Sequence, residues 1–160
     1  MNTFLAQTAK NRPGLAEHPT PMKVLGVDPG ETTGVAFFQG VQLGAYGQLA
    51  TKLFPTAPVI LCDFIRKMAP DIVVIEDYRV YKWKTDSHAW AALHTPKMIG
   101  VVEYYCHING IPLVLQSAQV GKGFCTDERL KEWGFYQTSQ RHANDAIRHA
   151  CQYLMFGKYS

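Results

Sequence analysis

Lys23-Val24-Leu25-Gly26-Val27-Asp28 is the stretch whose reading decides the fold. Its apolar run is almost unbroken, the mark of a strand covered on both faces. Thr33-Gly34-Val35-Ala36-Phe37-Phe38 reads as a second strand and Val41 to Ala50 as a third, with Gly30 and Gly40 at the tight reversals between them. Three successive strands joined by short turns predict an antiparallel meander.

Downstream, the period changes. Residues 57–69 read as a helix, with Val59, Ile60, Cys62, Phe64, Ile65 and Met68 as its apolar face. Pro70-Asp71 stops it, and Ile72-Val73-Val74-Ile75 is again too uniformly apolar and β-branched for a surface strand. Residues 87–109 have a helical pattern that Pro96 splits or kinks, with Thr95 as a fresh N-cap. Asn109-Gly110 ends it, and Ile111-Pro112-Leu113-Val114-Leu115 is a fifth strand. Thr126 or Asp127 caps a short helix through Trp133, closed by Gly134; Ser139 caps a last helix reaching about Phe156. The order β-β-β-α-β-α-β-α-α predicts an α/β fold, a mixed five-stranded sheet with helices on both faces. The domain spans 22–157. Residues 1–21, with Pro13, Gly14, Pro19 and Pro21 and no apolar period, read as a flexible arm, mildly basic through Lys10 and Arg12.

A length of 160 residues fits one domain with a full core. The apolar runs fall far short of the ~20 residues needed to cross a bilayer, and the first residues lack the basic and apolar blocks of a secretory signal. Cys62, Cys106, Cys125 and Cys151 are scattered without a C-x-x-C pair, which argues against a zinc knuckle or disulfide scaffold and suits a reducing cytoplasm. The net charge of +3 does not by itself indicate a nucleic-acid partner. Its placement is more informative.

Asp28 and Glu76 each terminate a strongly hydrophobic strand, where a carboxylate is costly unless something positive meets it. On neighbouring strands, two such ends suggest a shared cation. In the last helix, His142 and Asp145 are spaced i, i+3 and share a face. His149, a turn further on, reads as a rim or packing residue. Three carboxylates and an imidazole suit Mg²⁺ or Mn²⁺. Two such ions per site can activate water and neutralise a leaving oxygen in phosphodiester hydrolysis. Directly after Glu76, the run Tyr78-Arg79-Val80-Tyr81-Lys82-Trp83-Lys84 interleaves three cations with three aromatics, a pattern for phosphate contact and base stacking.

Asp28-Pro29-Gly30-Glu31-Thr32-Thr33-Gly34 is also similar to the phosphate hairpin of actin-like ATPases and sugar kinases, but those close two domains around ATP and this chain holds one. No G-x-x-x-x-G-K-[ST], G-x-G-x-x-G or G-x-S-x-G motif is present, so neither a nucleotide cofactor nor acyl transfer is expected.

Over residues 22–157 the chain resembles the RuvC Holliday-junction resolvases of the ribonuclease H-like superfamily. Val24 through Gly30 with Thr33-Gly34 is similar to the family's opening motif, and Val73-Val74-Ile75-Glu76 to its second. Ala91-Ala92-Leu93 through Gly100-Val101-Val102 resembles its central helix, Ser117-Ala118-Gln119-Val120 its short polar helix, and His142-Ala143-Asn144-Asp145-Ala146 its C-terminal motif. The resemblance implies that Asp28, Glu76, His142 and Asp145 are catalytic and bind two Mg²⁺ or Mn²⁺ ions, with His142 a further ligand or a nearby base. It implies paired nicks in four-way DNA junctions that leave 5′-phosphates and 3′-hydroxyls. Because His142 must be neutral to ligate a metal, activity should fall below about pH 6. Lys122 is the plausible counterpart of the family's basic residues, with Arg129 or Lys131 weaker, and Tyr78, Tyr81 and Trp83 are candidates for its aromatic wedge.

The resemblance also implies a homodimer, since a two-fold dimer places one site on each of two opposing strands of a nearly two-fold junction. The helix from about Ser87 to Asn109, with Trp90, Leu93, Ile99, Val102 and Tyr105, is the expected interface. The expected setting is the cytoplasm, at the nucleoid or in a phage-infected host cell. The alternatives are another ribonuclease H-like nuclease (one resembling the YqgF RNA-processing proteins, or a flap nuclease) and a non-catalytic junction-binding module.

Overall fold

Strand β1 (Lys23–Asp28) is buried over nearly its whole length, as its apolar run requires. In the computed structural model, which describes residues 3–12, 20–53, 55–78 and 94–157, it pairs antiparallel with β2 (Thr32–Gln39) and parallel with β4 (Ile72–Asp77). β3 (Gln42–Ala50) pairs antiparallel with β2 and β5 (Leu113–Ser117) parallel with β4, giving the order β3-β2-β1-β4-β5. This is the expected mixed sheet, a three-strand meander extended by two parallel strands. The helices are α1 (Thr3–Asn11), α2 (Thr56–Met68), α3 (His94–Ile108), α4 (Ala118–Phe124), α5 (Asp127–Trp133) and α6 (Arg141–Phe156).

Side chains alternate across a strand, so each strand feeds two cores. Leu25, Val27, Val35, Phe37, Val73 and Ile75 meet Leu61 and Ile65 of α2 and Met98 and Val102 of α3. Val24, Ala36, Phe38, Ile72 and Val74 form the other core with Ala146, Ile147, Ala150 and Leu154 of α6. Among the described residues no helix is long and apolar enough to cross a membrane. All four cysteines are free thiols.

Several local expectations are corrected. On α2 the buried stripe is Ala57, Pro58, Leu61 and Ile65, whereas Val59 and Ile60 are 62% and 47% exposed. Successive helical residues turn by 100°, which carries positions 59 and 60 away from the stripe defined by 61 and 65. Pro96, one residue past the expected cap Thr95, sits in the first turn of α3, where no intrahelical donor is needed, in keeping with the expected fresh start. Ile99 and Val102, expected at a dimer interface, are spent in the domain's own core, with Tyr105 packed against it. The outward side of α3 carries Tyr104, 68% exposed, and Ile108. Residues 87–93 of that predicted helix, including Trp90, Ala91, Ala92 and Leu93, lie outside the described residues.

The flexible-arm reading fails for residues 3–11. They form α1, whose Phe4 is fully buried with ring centroids 4.9 Å from Trp133 and 5.0 Å from Phe135. Arg12 donates to the carbonyls of Tyr153 and Leu154 near the C-terminal end of α6. One inserted aromatic is enough to dock a short helix without a visible apolar period. The rest of the predicted arm, residues 13–19, lies outside the described residues.

Thr126 caps α5 as expected, accepting from the Arg129 amide, and Gly134 closes it with φ 78°. Ser139 does not cap α6. It adopts φ 63°, and Gln140 stands at the N-cap without a side-chain bond. Gln48 of β3 serves that end instead, its Oε1 accepting from the His142 amide at 2.9 Å.

Candidate active site

Asp28 shares strand parity with Val24 and Gly26, and Glu76 with Ile72 and Val74, so both carboxylates face α6. β1 and β4 run parallel, with Val27 opposite Ile75. The two acids therefore stand at the same end of neighbouring strands. Helix α6 crosses this end and presents His142, Asp145 and His149 from one face.

Nδ1 of His142 lies 2.8 Å from Asp28 Oδ2. Burial pushes the Asp28 carboxyl up to about 6; the His142 hydrogen bond opposes this, and the charges of Glu76 and Asp145 reinforce it. Asp145 is buried and pairs with two cations, Lys122 at 3.4 Å and Arg148. Arg148 also pairs with Asp127 at the start of α5 and donates Nε–H to the Cys125 carbonyl at 2.8 Å. Glu76 Oε2 is bonded at 3.0 Å by Nε2 of His149, expected to be a packing residue. The structure therefore brings all four expected catalytic residues to one end of the sheet.

It does not gather them into a coordination cage. Among the described residues no three His, Cys, Asp or Glu side chains are grouped in a geometry that could hold a metal. Each carboxylate turns to a protein donor instead, Asp28 to His142, Glu76 to His149, and Asp145 to Lys122 and Arg148. The donor set nevertheless fits a hard divalent ion in its chemistry. Burial and the charges of Glu76 and Asp145 all raise the Asp28 carboxyl, and a cation among the three would act in the opposite sense.

Lys122 is half exposed beside Asp145. A cleft of about 630 Å³ opens there, lined among others by Lys122, Tyr136, Gln140, Arg141 and Asn144. Arg129 is occupied differently. Its guanidinium lies 4.0 Å over the Phe124 ring and donates to the Phe124 carbonyl, tying α5 to α4. Lys131 similarly lies over Tyr136. Tyr78 is exposed just past β4. Arg79, Tyr81, Lys82, Trp83 and Lys84 lie outside the described residues.

No protein-family model matches the chain, and no curated protein matches its sequence. Solved structures do match. Thermus thermophilus RuvC in complex with a Holliday junction substrate aligns over 84% of this chain and 94% of its own, with TM-score 0.66 and 16% identity. The yeast mitochondrial Holliday junction resolvase Ydc2 aligns over 88% and 82%, with TM-score 0.57 and 12% identity. Fowlpox virus resolvase, solved with its substrate junction, aligns over 82% and 97%, with TM-score 0.52 and 11% identity.

The chain has the RuvC-like resolvase fold.

In this resolvase fold the expected acids stand where β1 and β4 end beneath α6. The residues that sequence reasoning missed are those holding the acids in place. Arg148 is i+3 from Asp145 and His149 is i+7 from His142, spacings that were visible in the sequence. Gln48, which accepts from the His142 amide, and Gln116, whose Oε1 lies 2.9 Å from His149 Nδ1, carried no such signal.

Proposed function

We propose that the protein is a divalent-metal-dependent endonuclease that nicks four-way DNA junctions in pairs. The observation supporting this is the convergence of Asp28 and Glu76, from the ends of two parallel strands, with His142 and Asp145 on the crossing helix. Asp28, Glu76 and Asp145 would hold two Mg²⁺ or Mn²⁺ ions, with His142 as a further ligand or a base. The ions would supply Lewis-acid activation of water and charge neutralisation at the phosphate.

The chain's own groups do the rest. His142 Nδ1 stands 2.8 Å from Asp28 Oδ2, close enough for the two groups to pass a proton between them. Lys122, half exposed at Asp145, supplies positive charge to a backbone phosphate entering the cleft. Tyr78 is exposed just past β4, and it would contact DNA together with Arg79, Tyr81, Lys82, Trp83 and Lys84, which follow it in the sequence. Arg129 makes a weaker contribution, because its guanidinium already serves Phe124. A homodimer acting from the cytoplasm would place two such sites on opposing strands of one junction.

The test compares a synthetic four-way junction, a fork and a linear duplex, each with Mg²⁺ or Mn²⁺, for the wild-type chain and for Asp28→Asn and Glu76→Gln. Paired symmetric nicks on the junction that vanish in both variants support the proposal. Equal cutting of all three substrates would replace the junction reading with that of a general nuclease. Unchanged cutting by the variants would remove the site assignment.

A further inference from the structure

His149 is 0% exposed, and the proposed reaction does not use it. Burying an imidazole costs several kcal/mol unless its nitrogens are bonded, and here both are. Nε2 lies 3.0 Å from Glu76 Oε2, and Nδ1 lies 2.9 Å from Gln116 Oε1. Gln116 in turn donates Nε2–H to Gln152 Oε1 at 2.8 Å. The row Glu76–His149–Gln116–Gln152 follows directly from the fold. Gln116 sits beside Glu76 in the β4–β5 register, and His149 and Gln152 are one turn apart on α6.

Gln116 presents its oxygen to Nδ1 and Glu76 its carboxylate to Nε2, so each ring nitrogen faces an acceptor. A ring bonded at both nitrogens cannot flip or swing. Gly121 of α4 closes over it: a Cβ there would stand 3.0 Å from Cε1 and 3.1 Å from Nδ1, crowding the imidazole. The bond takes Oε2 of Glu76 and leaves Oε1 for a ligand.

We propose that His149 is a positioning residue for Glu76, fixing the rotation of its carboxylate within the acidic cluster, while Gln116 and Gln152 fix the ring. This rests on the metal-centre reading above. Outer partners of this kind orient a ligand and raise the affinity of its site.

The test uses two polar replacements of the ring. In His149→Gln the amide reaches the place of Nε2 and keeps a donor on Glu76. In His149→Asn it reaches only the place of Nδ1 and leaves Glu76 unheld. Mn²⁺ affinity is read from the spin resonance of the free ion, and folding from calorimetry. The Asn variant should bind Mn²⁺ at least ~10-fold more weakly, in the range of outer-partner losses, with the Gln variant near wild type. Gln152→Leu, at the half-buried far end of the row, should fold normally and show a smaller loss in the same direction. It decides the matter if both ring variants fail to fold.

Equal Mn²⁺ affinity in folded Asn and wild-type chains would overturn the proposal, as would equal losses in Asn and Gln, or, should neither ring variant fold, no loss in Gln152→Leu. Wild-type Mn²⁺ binding that disappears in Glu76→Gln keeps the metal centre whatever the His149 variants do. A wild-type chain that binds no Mn²⁺ overturns both readings.

Discussion

The backbone of His142 rests directly on Gly34. Any side chain at Gly34 would overlap the His142 carbonyl, and any at Gly26 would overlap the carbonyl of Ala146, one turn further along α6. Two glycines on adjacent strands thus let the helix lie on the sheet with no side-chain layer between them. Gly34 is also the register partner of Asp28. The close approach that seats the helix is therefore what brings the His142 ring to the Asp28 carboxylate.

Gly34→Ala should cost about 1–3 kcal/mol or more, the range for overpacking against a backbone that must shift. It should also part His142 from Asp28. Urea denaturation measures the first effect and loss of junction nicking the second. Gly47→Ala on β3, where an added Cβ meets nothing within 4 Å, is the control and should change neither. Equal effects at the two positions would remove the close-approach argument.

Stability without metal should fall as pH rises through the weakly acidic range. The Asp28 carboxyl is pushed from its ordinary 3.8 up to about 6, first by burial. Between those values the folded chain keeps a proton that the unfolded chain has lost, so this group's contribution declines from about pH 4 to about pH 6 and is level above. Divalent metal binding needs the ionised form, so Mn²⁺ affinity should rise through the same window. Denaturation of wild type and Asp28→Asn across pH 4 to 7 checks the sign, because the variant should lack this part of the slope.

Arg148→Met keeps much of the side-chain volume but removes a cation from both Asp145 and Asp127. Leaving a buried carboxylate without its partner costs about 3–5 kcal/mol. Lys122 still faces Asp145, which places the expected loss at the lower end. Added Mn²⁺ should restore part of it by supplying charge at the same carboxylate. Calorimetry with and without Mn²⁺ measures both. A loss that Mn²⁺ leaves untouched would separate Arg148 from the site.

Phe4→Ala should cost about 3–5 kcal/mol, as for other buried aromatics cut to alanine. Mn²⁺ affinity should change little while the chain stays folded, since Phe4 packs on Phe38, Trp133 and Phe135 and on none of the acids. Chemical denaturation settles the first point. A negligible loss would return residues 3–11 to the status of a loose arm.

The sheet was legible because Val24–Val27 and Ile72–Ile75 have no polar alternation, which only a strand covered on both faces tolerates. Asp28 and Glu76 were legible as acids closing those runs, and His142 with Asp145 as a one-turn pair. His149 was not. A histidine set among Ala146, Ile147 and Ala150 has the pattern of a packing residue, and its partner Glu76 lies 73 residues away. Phe4 was hidden for a similar reason, because its pocket is built from β2 and from the segment around Trp133 and Phe135. Pairings set by tertiary approach leave no period in the chain.

Helix α6 packs on β1, β2, β3 and β4 and carries three of the five side chains at the centre. Chains fold as they are made, from the N-terminal side onward. A ribosome that has released the whole sheet has therefore delivered Asp28 and Glu76 without His142, Asp145 or His149. The centre comes into being only when Arg141–Phe156 emerges and settles onto Gly26 and Gly34. Until then, an unfinished chain lacks three of the five side chains of the proposed site.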